Sequence, residues 1–382
     1  MKVLYYISKE ADSVDIYHEM VASLCAHIPE AMLIHSLADI KKGYTDDNTE
    51  LVHLFGCWNY QTAKYLFKAK QVNIPCIVSP LGGLQPWILE QNKTRKFQQK
   101  HLFQYKMIRQ ASAIHLCGNL EAKTFSELGW NPRTAVIKNS MLTTELTDEE
   151  MAGKMLQLYR KTLDSNATRL LAKTSQQVIL DLLLAGIDGS SLKYESFKTS
   201  ALALLSQLSE ENWRRVWLYA WDEDITEELR AGLEKFRFSA PFLDAGTIDK
   251  FPAKRKMTHG KLKYDALSTK NPMLKSKLET LTEKKYVTEK KICTMIWNIK
   301  YEINHRQATL RHLADIYLQL KFIDFDEDKL KEMLVGMDLK KFASHLMGCL
   351  SRTLKLTEGY MPLTASEGKE TDRLTQSLTN FI

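Results

Sequence analysis

Leu51-Val52-His53-Leu54-Phe55-Gly56 is a short β-prone run that ends at a glycine, with His53 its one polar member. A strand with one face in water alternates apolar and polar residues, whereas a strand covered on both faces stays apolar throughout. This run is of the second kind. Similar runs occur at Val3-Leu4-Tyr5-Tyr6-Ile7, Met32-Leu33-Ile34, Cys76-Ile77-Val78, Ala113-Ile114-His115-Leu116 and Ala135-Val136-Ile137. Helical patterns separate them: Tyr17, Met20, Val21, Leu24 and Ile28 keep helical spacing, a second helix is predicted over about 60–71, and a long polar one over about 87–110. Strands alternating with helices predict a doubly wound parallel sheet, an α/β domain of Rossmann-like type ending near residue 140. Ligands of such sheets bind beyond the carboxyl ends of the strands, at residues 53–58, 79–87 and 115–121.

Beyond residue 147 the pattern turns helical, with Met155, Leu158, Leu163, Val178, Ile179, Leu182 and Leu183. One run, Arg215-Val216-Trp217-Leu218-Tyr219-Ala220, reads as a strand, and Asp222-Glu223-Asp224 leads from it into a helix over about 226–236. Residues 288–356 read as several helices. The predicted division is an α/β domain over 1–140, a helix-rich region with at least one strand over 141–250, and a basic linker with a helical module over 251–382. A polar tail from Thr364 has little to bury.

A chain of 382 residues is long enough for two or three cores. No apolar run approaches the roughly 18 residues of a membrane span, and the first eight residues are too few for a signal-peptide core, so the expected location is cytoplasmic, at most peripheral to the inner membrane face. The six cysteines (Cys25, Cys57, Cys76, Cys117, Cys293, Cys349) show no CxxC spacing. Free thiols and no metal site are expected. Residues 250–300 carry fourteen Lys or Arg against four acids, within a chain of net charge +7. Such a tract either keeps a helix surface soluble or attracts phosphate, on a nucleotide-sugar, an anionic membrane or a nucleic acid. Tyr264, Tyr286, Trp297 and Tyr301 lie among these charges without a nucleic-acid-binding motif, which disfavours that last partner.

His53-Leu54-Phe55-Gly56-Cys57-Trp58 and Ile74-Pro75-Cys76-Ile77-Val78-Ser79-Pro80-Leu81-Gly82-Gly83-Leu84-Gln85-Pro86-Trp87 resemble the N-terminal domain of family 4 retaining glycosyltransferases of GT-B fold. The likeness continues through Ala111-Ser112-Ala113-Ile114-His115, Glu121, Leu128-Gly129 and Val136-Ile137-Lys138-Asn139, and covers about a third of the chain. It implies transfer of a sugar from a nucleotide-sugar to a glycan or lipid-linked acceptor in cell-surface glycan assembly, with no cofactor and no obligatory metal. The candidate substrate-binding residues are His53, Gly56, Trp58, Gly82, Gly83, Trp87, His115 and Glu121.

Each has a physical reason and a structural alternative. Glycines at strand ends let backbone N–H groups approach a phosphate or sugar, or merely form turns. Tryptophans offer an apolar face to a pyranose or pack. Imidazoles titrate near neutrality or sit satisfied in a core. Glu121 near a helix start suits the helix dipole. Lys254, Arg255 and Lys256 are candidates for phosphate, with Asp222 or Glu223 for the sugar.

The chain also departs from the family pattern. Leu81 stands near a position where the family presents histidine, and no glutamate after residue 145 is followed by another eight positions on, the spacing of the family's donor-site pair. Two functions therefore stand open: a divergent transferase with a rebuilt donor site, or a non-catalytic descendant that binds a glycan or nucleotide and docks a protein partner through its helical module.

Overall fold

The computed structural model describes residues 1–40, 50–253, 257–281 and 286–381. The chain divides into two compact units, Met1–Asn166 with Ala245–Ala253, and Ala167–Asp244 with Lys254–Ile382.

The first unit is built on six parallel strands: β1 (Val3–Ile7), β2 (Ala31–Leu33), β3 (Leu51–Phe55), β4 (Cys76–Ser79), β5 (Ala113–Leu116) and β6 (Thr134–Val136). Their order is β2-β1-β3-β4-β5-β6, so the chain winds outward in both directions from β1, and the sheet is a Rossmann-like α/β layer. The switch in direction lies between β1 and β3. Ser8 N–H donates there to Phe55 O at 2.9 Å.

Strand side chains alternate between faces, and the two faces differ in chemistry. One carries Leu4, Tyr6, Val52, Leu54, Val78, Ile114 and Leu116, which pack with Tyr65, Leu66, Phe103, Met107, Ile108 and Phe125 into an apolar core. The other carries Tyr5, His53, Ser79 and His115, all almost fully closed to solvent. Tyr159, from the helix Asp148–Asp164, reaches this second face. That helix begins past residue 140 and still belongs to the first unit; a Thr147–Glu150 capping box starts it, satisfying two end N–H groups reciprocally. Residues 245–253 return to the first unit as well. Phe251 N–H donates to Ser165 Oγ (2.8 Å), Lys161 pairs with Asp249 (2.7 Å), and Arg133 Nε donates to Pro252 O (3.2 Å).

In place of one long helix over 87–110, the chain forms Pro86–Glu90, a break at left-handed Asn92, then Lys93–Gln99, a π-helical turn Lys100–Gln104 and Tyr105–Gln110.

The second unit contains helices and no strand among the described residues. The run 215–220, expected to be a strand, is part of the helix Glu210–Asp222. Ser209 caps it through Asn212 N–H, Glu210 and Glu211 fill its first turn, and Trp213, Val216, Trp217 and Ala220 recur at helical spacing into the core. A buried helix apolar on several sides presents the same unbroken run as a buried strand, and here the N-terminal capping residues were the deciding signal.

Two glycines set how closely two of these helices approach. A Cβ on Gly186, in Lys173–Ile187, would run into Glu228 O, and one on Gly232, in Thr226–Phe236, into Leu182 O. The helices pack backbone against backbone. Part of the basic tract is irregular rather than helical: buried Asn298 accepts from Ser268 N–H and donates to Lys263 O and Ala266 O, while Leu262 and Leu267 turn inward.

Candidate functional site

Two arrangements occupy the first unit: a closed polar chain within the sheet, and a set of loops at the carboxyl ends of β3, β4 and β5.

The closed chain begins at Tyr5. Its hydroxyl lies 2.9 Å from Tyr159 Oη, which lies 2.8 Å from His53 Nδ1; His53 Nε2 is 2.7 Å from Ser79 Oγ, and Ser79 Oγ is 2.6 Å from His115 Nδ1. His115 Nε2 ends the chain 3.0 Å from Ile137 O. A carbonyl only accepts, so His115 carries its proton on Nε2 and accepts at Nδ1 from Ser79 O–H. Ser79 must then accept from His53 Nε2–H, His53 Nδ1 from Tyr159 O–H, and Tyr159 from Tyr5 O–H. One terminal carbonyl orders every proton in the chain.

Burial holds both rings neutral. The His115 pKa falls from 6.5 to about 4, and that of His53 falls well below 6.5, lowered by desolvation and then by His115 itself. Ser79 and His115 have the separation of a nucleophile and its base, but Ser79 is fully buried and its hydroxyl is shared by two rings. The chain fits a structural role. His53 and His115, singled out in the sequence as candidate substrate residues, lie inside the sheet.

The loops beyond the strands are different. Gly56 follows β3 with φ 111°, where a Cβ would strike Ser8 Oγ. Trp58 then takes φ 60°, an unusual state for a bulky residue, and is held three ways: its indole N–H donates to Gly83 O (2.6 Å), its backbone N–H to Gln104 Oε1 (2.7 Å), and its carbonyl accepts from Gln99 Nε2 (3.1 Å). After β4, Leu81 and Gly82 are also left-handed, φ 54° and 77°, and Tyr17 Oη donates to Leu81 O at 2.9 Å. Gly83 faces Cys57 Sγ so closely that a Cβ could not be fitted.

Glu121, 2% exposed, ties the β4 and β5 loops together. Its Oε1 accepts from Gly82 N–H (2.6 Å) and its Oε2 from Cys117 N–H (2.9 Å). Burial pushes its pKa up, and the two N–H donors act in the opposite sense. With both oxygens engaged, Glu121 braces the loops. Gly118, at the start of the helix Asn119–Leu128, leaves open space where a side chain would stand.

Strained non-glycine backbone at two adjacent strand ends, over-determined by hydrogen bonds, is the kind of feature that collects at ligand sites. The N–H groups of Gly56, Gly82 and Gly83 are used within the loops, on Ser79 O, Glu121 Oε1 and Pro80 O, so the arrangement offers the partly exposed Trp58 ring and the open space at Gly118. Gly56, Trp58, Gly82, Gly83 and Glu121 belong to this one cluster of loops, while Trp87 lies on Pro86–Glu90 with half its surface in solvent. Lys254, Arg255 and Lys256 lie outside the described residues. Glu223, in the second unit, is buried with both oxygens occupied, by Leu310 N–H (2.8 Å) and Asn380 Nδ2 (2.6 Å).

Sequence reasoning missed Tyr5, Tyr159, Tyr17 and Gln104. Tyr5 and Tyr17 were visible only as core positions, and nothing local to Tyr159 or Gln104 reveals their partners, which lie far away along the chain. Among the described residues no group of His, Cys, Asp and Glu is placed to hold a metal ion, and no helix is long and apolar enough to cross a membrane.

Comparison with protein-family models, with curated proteins and with solved structures returns no match for this chain.

Proposed function

We propose that the chain is a glycosyltransferase-like protein of GT-B type that binds a nucleotide-sugar or glycan at the loops beyond β3, β4 and β5, and transfers the sugar to a glycan or lipid-linked hydroxyl. The observation that carries this reading is the braced cluster of Gly56, Trp58, Gly82, Gly83 and Glu121, at the carboxyl edge of a doubly wound sheet. The same residues carry the resemblance to family 4 transferases. The Trp58 ring suits a pyranose face, and the open space at Gly118 leaves room for a sugar or phosphate.

A second reading, binding without transfer, draws support from two observations. Leu81, buried and unable to move a proton, stands near the family's histidine position, and the described residues of the second unit form no second parallel sheet.

Isothermal titration with UDP, GDP and their sugars tests the shared part of both readings. Gly118→Phe projects a ring into the open space at the end of β5, where a Cβ meets no atom within 4 Å and the extended backbone accepts any residue; its fold is checked by circular dichroism. Saturable binding to the wild type that Gly118→Phe abolishes supports the site; silence from a folded protein across the panel refutes donor binding. Release of free sugar or its transfer to an added acceptor by the binding-competent protein then separates the transferase from the binder.

A further inference from the structure

Between Glu90 and Glu121 the chain holds no acidic residue, and it carries six cations: Lys93, Arg95, Lys96, Lys100, Lys106 and Arg109. These all fall on the continuous helical segment 93–110. Its inner side is fixed to the first unit, because Phe103, Met107 and Ile108 enter the apolar core while Gln99 and Gln104 hold the Trp58 backbone. Its outer side is unusual for a surface in water. Phe97 is 66% exposed, Leu102 76% and Tyr105 38%, and Trp87 on the preceding short helix is 53% exposed. Five of the six cations are exposed beside them; Lys96 is turned onto Ile88 O.

We propose that the outer side of residues 93–110, with Trp87, is a docking surface for an anionic lipid bilayer. A bilayer surface presents anionic headgroups over hydrocarbon, and this segment with Trp87 presents exposed cations together with exposed Phe, Leu, Tyr and Trp side chains. Charge complementarity is complete within the segment, since no carboxylate interrupts it. Nucleic acid fits less well: Leu102, the most exposed of these four side chains, has no π-face on which a base could stack. The assignment differs from the basic tract 250–300, which also exposes Tyr264, Met273 and Val287 but intersperses Asp265, Glu279, Glu283 and Glu289 among its cations. It stands independently of the sugar-binding reading.

Flotation of the full chain with vesicles tests it, using phosphatidylcholine alone and phosphatidylcholine mixed with phosphatidylglycerol. The expected result is retention on the anionic vesicles, weak retention on the neutral ones, and release at about 0.5 M salt, where screening is strong. Phe97→Asp with Leu102→Asp changes two side chains that are mostly in solvent, so the protein folds and loses vesicle binding. Lys93→Gln with Arg95→Gln weakens binding roughly tenfold or more. Absence of binding by the wild type overturns the proposal. So does unchanged binding by the Phe97→Asp, Leu102→Asp variant, which would leave charge elsewhere, such as residues 250–300, as the cause. Tight binding of the wild type to duplex DNA or RNA, indifferent to those two substitutions, overturns it in favour of a general polyanion site.

Discussion

His53 and His115 share a single hydroxyl: Ser79 Oγ lies 2.7 Å from His53 Nε2 and 2.6 Å from His115 Nδ1. Because His115 Nε2 is committed to Ile137 O, the serine must donate to one ring and accept from the other. Ser79→Ala therefore strands a buried N–H on His53 and a buried lone pair on His115. Loss of roughly 2–5 kcal/mol of stability is expected, measured by urea unfolding, since each unsatisfied buried group costs about 1–3 kcal/mol. A cost under 1 kcal/mol would contradict the shared hydroxyl.

The two tyrosines at the other end of the chain should differ in effect. Tyr159→Phe removes the donor to His53 Nδ1 and the acceptor for Tyr5, whereas Tyr5→Phe removes only a terminal donor. The expected costs are roughly 2–4 kcal/mol and about 1 kcal/mol respectively. Equal losses would mean that the proton order runs another way.

Both histidines are neutral and carry the proton on Nε2, which long-range nitrogen–proton NMR reads directly. The pH dependence has a definite sign. In the folded chain His115 titrates at about 4 against 6.5 when exposed, so below pH 6.5 the unfolded state binds a proton that the folded state refuses. Stability conferred by this residue is whole above pH 6.5 and falls as pH drops from there towards 4, by about 3 kcal/mol in all, at 1.36 kcal/mol for each pH unit. His53 acts in the same direction. A urea midpoint that does not fall across this range, or an imidazolium signal from either ring at about pH 5, would refute the neutral pair.

Glu121→Gln replaces one accepting oxygen with a donor that faces Gly82 N–H or Cys117 N–H. A cost of roughly 1–3 kcal/mol follows from the lost hydrogen bond and the donor set against donor. The more specific readout is hydrogen exchange: the Gly82 and Cys117 amides should lose protection together, while strand amides of β3 keep theirs.

In the second unit, Gly232→Ala places a methyl group against Leu182 O, and Gly186→Ala one against Glu228 O. Each is expected to destabilise by roughly 1–3 kcal/mol because backbone cannot move aside as a flexible side chain can. The two effects should be less than additive, since either substitution already separates the same pair of helices. Thermal unfolding of both single variants and the double variant checks this.

The strands were legible because each is a short apolar run punctuated by polar loops. The Val3–Ile7, Leu51–Phe55 and Ala113–Leu116 strands have the bounds read from the sequence, and the other three differ by a residue or so. The helix Glu210–Asp222 was misread for the same physical reason: Val216 to Ala220 are all buried, and such a stretch hides the periodicity that separates helix from strand. Of the candidate site, Gly56, Gly82 and Gly83 were legible through glycine at strand ends. The bracing by Glu121 and the Trp58 indole was not, since nothing in the spacing shows which N–H groups a carboxylate will meet.

Local pattern alone determined that this chain contains a parallel sheet whose central strands are covered on both faces, because whether a side chain enters water is written residue by residue in its polarity. Only the tertiary structure decided that Tyr5, Tyr159, His53, Ser79 and His115 form one line ending on Ile137 O. A hydrogen bond requires its atoms to meet within about 3 Å, and that placement depends on the register of four strands and on a helix that returns from residues 148–164. Polarity marks these residues as polar and buried; register makes them partners.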